Sequence, residues 1–324
     1  MDCDRCGREA VIHAAYSGLH MCESHFLESV EKRVRQRVRE DKLLPDDATP
    51  ENPETRVVGL SGGKDSAVLA TILHDVFVVD PRVELVALSI HEGIEGYRDE
   101  SLAACRELAA HLDVRHEVVT YEEEFGVRMD EVVEDDPENM SACAYCGVFR
   151  RDILARRAAA LGADKLLTGH NLDDEAETAL MNFLSGDITQ ITKHFDASFG
   201  GFDGGRGERT RGETRAFVPR AKPVRDVPEK EVALYAHLRD LPAHITECPH
   251  AEEAYRGEDP GVAVQTGGAP PRHRALDYGR LRGTRGPGGR GTPRRGRRVR
   301  RVRAVRRADT GDVCRKCDLL EALA

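Results

Sequence analysis

Arg56-Val57-Val58-Gly59-Leu60-Ser61-Gly62-Gly63-Lys64-Asp65-Ser66 runs a buried strand (56–60) into a glycine turn, and then into a helix lasting from Asp65 to about Phe77. Two adjacent glycines let the backbone turn tightly, so that successive N–H groups converge on an anion. The helix N-terminus adds a partial positive charge and Lys64 a full one, while Asp65 can help hold Mg²⁺. The Walker pattern is excluded, because it needs four residues between its first glycine and its Gly-Lys pair. An ordinary strand–helix turn is the bland alternative, and six matching residues in this context weigh against it.

Outward from this loop, strands and helices alternate. VELVALSI (83–90), RHEVVTY (115–121) and DKLLTG (164–169) read as strands, and 99–112, 147–161 and 173–185 as helices. Such alternation predicts an α/β fold with a doubly wound parallel sheet, whose ligands sit beyond the carboxyl ends of the strands. Upstream, 28–42 reads as a charged helix and 43–55 as a Pro/Asp linker. Downstream, 197–213 is Gly/Arg-rich and reads as a mobile loop, followed by a helix at 229–240.

Ser61–Ser66 resembles the PP-loop of the ATP pyrophosphatases, which cleave ATP between the α and β phosphates and adenylate a substrate oxygen. The resemblance makes Ser61, Gly62, Gly63, Lys64, Asp65 and Ser66 ATP-binding residues. It extends to Ser89–Arg98 (SIHEGIEGYR), similar to the stretch that closes over adenine and ribose, with His91 where the family usually has an acidic residue. It also extends to Gly169–Thr178 (GHNLDDEAET) at another strand end. Ser89, His91 and Gly169 join the expected nucleotide site on this basis, and Asp174 is expected to be a Mg²⁺-binding or substrate-activating carboxylate. Capping of the following helix by Asp173 is the structural alternative, compatible with that role.

Nine cysteines occur, six of them in three C-x-x-C pairs. Without a secretory signal, that pattern points to metal or redox chemistry rather than to a disulfide frame. Cys143 and Cys146 stand just before a helix, and Cys248 stands alone. Three thiolates can hold a [4Fe–4S] cluster and leave one iron open. Arg150 and Arg151 would lower the thiol pKa values and stabilise a negative cluster. A zinc half-site, or a persulfide with a resolving thiol, remain the alternatives. Cys105, in the middle of a helix, reads as a buried structural thiol.

A Cys-x-x-Cys pair plus one distant Cys resembles the PP-loop tRNA 2-thiolation family. That resemblance implies a tRNA-uridine 2-sulfurtransferase that adenylates uridine O2 and replaces it with sulfur, the wobble uridine favoured over the T-loop one. It implies tRNA and a ubiquitin-like sulfur carrier as partners. A homodimer is also an expectation, and Lys222 is expected to face phosphate or RNA. A PP-loop adenylating ligase without sulfur transfer, or cytidine 2-thiolation, are the competing activities.

Cys3-x-x-Cys6, fifteen residues and then Cys22-x-x-His25 is a zinc-ribbon spacing. His13 and His20 are competing ligands for His25. At the other end Cys314-x-x-Cys317 stands alone, half of the second ribbon with which the family ends. The interval before it is unlike the rest of the chain. Residues 261–307 hold 15 Arg and one Asp, a balance of +14, which leaves −23 on the other 277 residues. Such Gly/Arg/Pro/Ala/Val dominance is what a GC-rich gene yields in a wrong frame. Reading across codon boundaries, TGGAPPRHRALDYGRLRGT permits LEEHHPGTGHSIMAGYEE, similar to a family motif of the HPGT…HS type. RVRAVRR at 301–307 permits ECERCG, which restores the missing Cys-x-x-Cys. A frameshift near 258–266, repaired near 307–309, is the reading adopted, against a genuine Arg/Gly-rich RNA-binding tail.

No apolar stretch reaches the roughly 18 residues of a membrane span, so a soluble cytoplasmic protein is expected. The expected organisation is a zinc ribbon (1–27), a helix and linker (28–55), a PP-loop adenylation domain (56–195) and a tRNA-facing part with the third cluster cysteine (196–257). A disordered frameshifted segment (258–307) and half a zinc ribbon (308–324) complete it.

Overall fold

The structure, a computed structural model, describes residues 1–45, 48–186, 218–244, 246, 248–250, 300–302, 307–309 and 315–323. Strands β1 (Ile12–Ala14) and β2 (Leu19–Met21) pair antiparallel and lead into helix α1 (Glu23–Glu40). This helix buries Phe26, Val30, Val34 and Val38, one residue per turn on the period that keeps i and i+4 on one face. It begins ahead of the expected residue 28, directly after Cys22, because Phe26 already belongs to that buried stripe.

There follow β3 (Glu54–Gly59), α2 (Lys64–Phe77), β4 (Val83–His91), α3 (Arg98–His111), β5 (Arg115–Thr120), and the short α4 (Tyr121–Phe125) and α5 (Met129–Asp135). Then come α6 (Ala142–Ala160), β6 (Lys165–Leu167), α7 (Leu172–Ser185), β7 (Arg220–Ala221) and α8 (Glu229–Leu238). The sheet order is β5-β4-β3-β6-β7, every neighbouring pair parallel. Chain order reverses between β3 and β6, so the open crevice at the carboxyl ends of those two strands is the ligand position of a doubly wound fold. Val57, Val58, Val86, Leu88 and Leu166 are buried, as strands covered on both faces require.

The chain divides into two compact units. One comprises Met1–Asp130, Arg150–Ala176 and the described residues up to Thr246; the other comprises Glu131–Phe149 and the described residues from Glu177 and from Cys248 onward. In the second, β8 (Arg300–Val302) pairs antiparallel with β9 (Arg307–Asp309), and α9 (Arg315–Ala322) takes Cys317 into its first turn. The expected Gly/Arg loop at 197–213, most of the interval 258–307, and Cys314 lie outside the described residues.

Candidate functional site

Between β3 and α2 the chain makes the anticipated glycine turn. Gly62 has φ +88, and a Cβ there would stand 2.3 Å from the carbonyl oxygen of Ser101, so the turn admits no side chain. Gly63 is the N-cap of α2, with extended backbone. Ser66 closes the loop: its Oγ donates to Gly63 O (2.9 Å) and accepts from Ser61 N–H (3.1 Å). Ser66 therefore braces the loop from within, and a fixed shape is what anion binding by backbone N–H groups needs. Lys64 at the helix start gives Nζ to Glu229 (2.8 Å) and Asp65 (3.1 Å). Burial would lower its pKa, but those two carboxylates outweigh it and hold the ammonium charged.

The second strand end meets this loop across the crevice. A Cβ on Gly169 would stand 2.8 Å from the backbone of Asp65, so glycine is what lets β6 approach the first turn of α2. Asn171, 3% exposed, donates from Nδ2 to Asp65 Oδ1 (2.9 Å). Its Oδ1 accepts from the N–H groups of Asp173 (2.9 Å) and Asp174 (3.1 Å), while Asp174 Oδ2 accepts from Asn171 N–H (3.1 Å). That is a capping box. The cap of α7 is thus Asn171, which corrects the expectation of Asp173, whose carboxylate instead accepts from Glu229 N–H (2.6 Å). The Asn-x-x-Asp spacing was the available signal. Lys222 pairs with Glu175 on the same helix.

Under the loop, Ser89 is 0% exposed and spends its hydroxyl on Leu60 O (2.6 Å), with His116 Nε2 at 2.8 Å. Its side chain supports the loop from below, from the inward pleat position of β4. His91 accepts from Gly93 N–H at Nδ1 (3.0 Å) and stands 3.4 Å from Asp99. Arg98 and Glu92 stood within the Ser89–Arg98 stretch, but neither was given a role of its own there. Arg98 donates to Ser61 O (2.7 Å) and Ile90 O (2.7 Å) and pairs with Glu92. Arg150 pairs with the other oxygen of Glu92 (3.0 Å). His244, also unforeseen, donates its backbone N–H to Gly62 O (2.8 Å), and its Nε2 is buried without a hydrogen-bond partner. Such an orphaned atom beside a glycine turn fits a site that receives a polar ligand.

Cys143 and Cys146 lie inside the first turns of α6, not ahead of it. Between them Tyr145, fully buried, donates to Asp136 Oδ1 (2.8 Å) and accepts from Glu138 N–H (2.7 Å). Pinned this way, the helix start turns Cys143 outward and leaves Cys146 half-buried. Cys248 is half-buried in the same compact unit. Cys105 is buried against Leu60 O, as a structural thiol should be, and burial pushes its pKa up.

In the N-terminal module, Cys3, Cys6, Cys22 and His25 bring their donor atoms within 4.8 Å of one another. The Cys6–Cys22 sulfur separation is 3.7 Å, close to the roughly 3.8 Å edge of a tetrahedron with metal–sulfur bonds of about 2.3 Å. Burial works against it, yet the backbone N–H groups of Cys22 and Arg5 and the His25 imidazole bring the Cys3 thiol down to about 5; a hydrogen bond from Ser24 leads in bringing Cys22 to about 7. Both favour thiolate ligands. His13 and His20 stack on each other across the hairpin (4.5 Å) and stand apart from this set.

A parallel sheet with this self-braced glycine loop at its switch point defines a PP-loop nucleotide-binding protein. Residues 28–202 match the PP-loop domain model, and residues 2–27 match the N-terminal LIM domain of the 2-thiouridine synthetase TtuA. The chain is 62% identical to the tRNA 2-thiolation protein NcsA of Haloferax volcanii, over 100% of this chain and 99% of that one. It is 38% identical to the cytoplasmic tRNA 2-thiolation protein 1 of Debaryomyces hansenii, over 79% of this chain and 63% of that one. Among solved structures, the U34-tRNA thiolase NcsA from Methanococcus maripaludis with its [4Fe-4S] cluster is similar at TM-score 0.65 and 31% identity, covering 87% of this chain and 86% of that one. The chain belongs to the PP-loop tRNA 2-thiolation family, whose members are tRNA sulfurtransferases.

Proposed function

We propose that this protein is an ATP-dependent tRNA-uridine 2-sulfurtransferase acting at the wobble uridine. One observation carries the reading: an ATP-pyrophosphatase loop and the three cysteines Cys143, Cys146 and Cys248 stand in one chain, which is similar over most of its length to a U34 thiolase that holds a [4Fe-4S] cluster. Uridine O2 attacks the α-phosphorus of ATP, pyrophosphate departs, and N3 gives up its proton. Hydrosulfide then adds to C2, its proton passes to N3, and AMP leaves with the original oxygen. Oxygen alone is a poor leaving group, so the adenylation is what makes the exchange feasible.

The N–H groups of the Gly62–Gly63 turn and the Lys64 ammonium would hold the departing pyrophosphate, where fixed donors stabilise developing charge. Asp65 and Asp174 would hold Mg²⁺, which takes oxygen ligands. The thiols of Cys143, Cys146 and Cys248 suit a soft iron–sulfur group; when bound, a cluster with three protein ligands offers sulfide an iron without one. Cys3, Cys6, Cys22 and His25 would hold Zn²⁺ as a closed structural site. The reacting uridine must leave its stack to enter the crevice. A ubiquitin-like carrier ending in a thiocarboxylate is the sulfur source, a second copy of the chain is a further partner, and the cytoplasm is the setting. Among the described residues no helix is long and apolar enough to cross a membrane.

The test is direct. Purified protein, tRNA, ATP and sulfide are combined without oxygen, and tRNA nucleosides are read by mass spectrometry. 2-Thiouridine is expected, falling about a hundredfold with Lys64→Ala, and a brown chromophore should vanish with Cys143→Ala. Pyrophosphate exchange without any thionucleoside would sink the reading in favour of a ligase.

A further inference from the structure

An ammonium group has three N–H donors on a flexible four-carbon stem, so a lysine at the first position of a helix does not by itself fix where its charge stands. Lys64 spends two of its donors on carboxylates. One goes to Asp65 Oδ2 (3.1 Å), its neighbour in the chain, and one to Glu229 Oε1 (2.8 Å), 165 residues away. The Asp65 carboxylate is shared, since its Oδ1 accepts from Asn171 Nδ2 (2.9 Å). Among the described residues no acceptor takes the third donor of Lys64, and the side chain is 23% exposed.

Glu229 is itself held in place. It opens α8, and its backbone N–H donates to Asp173 Oδ2 (2.6 Å), while Leu172 N–H donates to Val227 O (3.0 Å), so the starts of α7 and α8 are tied together twice. Two residues on, Glu231 pairs with Arg33 of α1, which also donates to Asp226 O (3.3 Å). Val232 and Tyr235 anchor the helix in the core. The backbone of Glu229 is thus fixed from two sides, and its carboxylate reaches out to the phosphate loop. We propose that Glu229 is a positioning residue of the adenylation step: it sets the Lys64 ammonium so that the remaining N–H meets the phosphate as pyrophosphate departs. A carboxylate beside a triphosphate repels it, so this contact cannot serve the attraction of ATP. What it can serve is orientation, where a donor fixed in advance favours the transition state over the bound substrate. The proposal rests on the reading above for one point, that the ligand of the loop is ATP.

Glu229→Gln keeps the shape and removes the charge, and it leaves the backbone contact with Asp173 in place. Exchange of labelled pyrophosphate into ATP, with tRNA present and sulfide absent, is compared for the unaltered full chain, Glu229→Gln, Lys64→Ala and the double variant. Glu229→Gln is expected to lower kcat for exchange about tenfold without raising KM for ATP, and to cost nothing further once Lys64 is gone. Its Tm should stay within about two degrees of the unaltered chain, as for an exposed ion pair. An unchanged or higher kcat overturns the proposal, because Glu229 would then merely compete with phosphate for Lys64. Losses that multiply in the double variant, or a loss confined to KM, overturn it as well. If Glu229→Gln fails to fold, Glu229→Asp, which withdraws the carboxylate by one methylene, goes through the same cycle and is judged by the same non-additivity. An unaltered chain that shows no exchange would bring down the parent reading and this proposal with it; multiplied losses in an active chain bring down this proposal alone.

Discussion

At φ +88, Gly62 takes a backbone angle that an L side chain enters only with strain, and the atom it would strike, Ser101 O, is backbone that cannot step aside. Either the turn or the start of α3 must move. Gly62→Ala should therefore reduce ATP–pyrophosphate exchange about a hundredfold and lower Tm by several degrees. Wild-type exchange in that variant would show that the turn tolerates displacement and that phosphate binding does not depend on its shape. Gly62 could be singled out from sequence because a glycine pair between a strand and a helix is a local pattern. The contacts of Glu92, Arg98 and His244 could not be read there, because each is made with a partner distant in the chain: Ser61 O for Arg98, Gly62 O for His244, Arg150 for Glu92. The motif position of Ser89 likewise says nothing about which pleat face its side chain occupies, because that is decided by the sheet.

Elements were readable where their periodicity was strong. The helices α2, α3 and α7 and the strands β3 to β6 stand close to where the apolar pattern puts them, because the sheet is covered on both faces and each strand must be an apolar run. The start of α6 was not readable: its first turn is secured by Tyr145 reaching Asp136 and Glu138, a tertiary contact that overrides the weak helix preference of the Cys-rich stretch. The β1–β2 hairpin has two three-residue strands beside the Cys3, Cys6, Cys22 and His25 set, with Ile12, Ala14 and Met21 packed into the core alongside Phe26 and Val30 of α1. A two-stranded ribbon is marginal in water, so a metal ion held by that set would contribute folding free energy. Chelation should abolish protection of residues 1–27 from hydrogen exchange while amides of β3 and β4 stay protected. Uniform exposure of both would mean that the module and the sheet unfold as one.

At the scale of the molecule, the Haloferax volcanii relative aligns over 331 residues, spanning this whole chain and 99% of its own length. Both ends therefore keep the frame they share with it, which a compensated pair of insertions and deletions also preserves. Between those ends stands a +14 interval on a chain that is otherwise −23. An acidic body repels RNA phosphate at low salt, so the two readings of 261–307 differ in substance. As a genuine tail it is the main basic surface of the protein. As frame-shifted sequence it displaces a Cys-x-x-Cys and leaves Cys314 and Cys317 half a site. We propose the second, on the strength of the restored ECERCG before Cys314. Protein made from its own gene, cut after acidic residues and read by mass spectrometry, should yield Arg-poor peptides with two additional cysteines in this interval. Its zinc content should be two ions per chain, one on Cys3, Cys6, Cys22 and His25 and one at the completed C-terminal ribbon. Arg-rich peptides as the sequence stands, together with a single zinc, would establish the tail as real and move the search for the tRNA-binding surface onto its arginines.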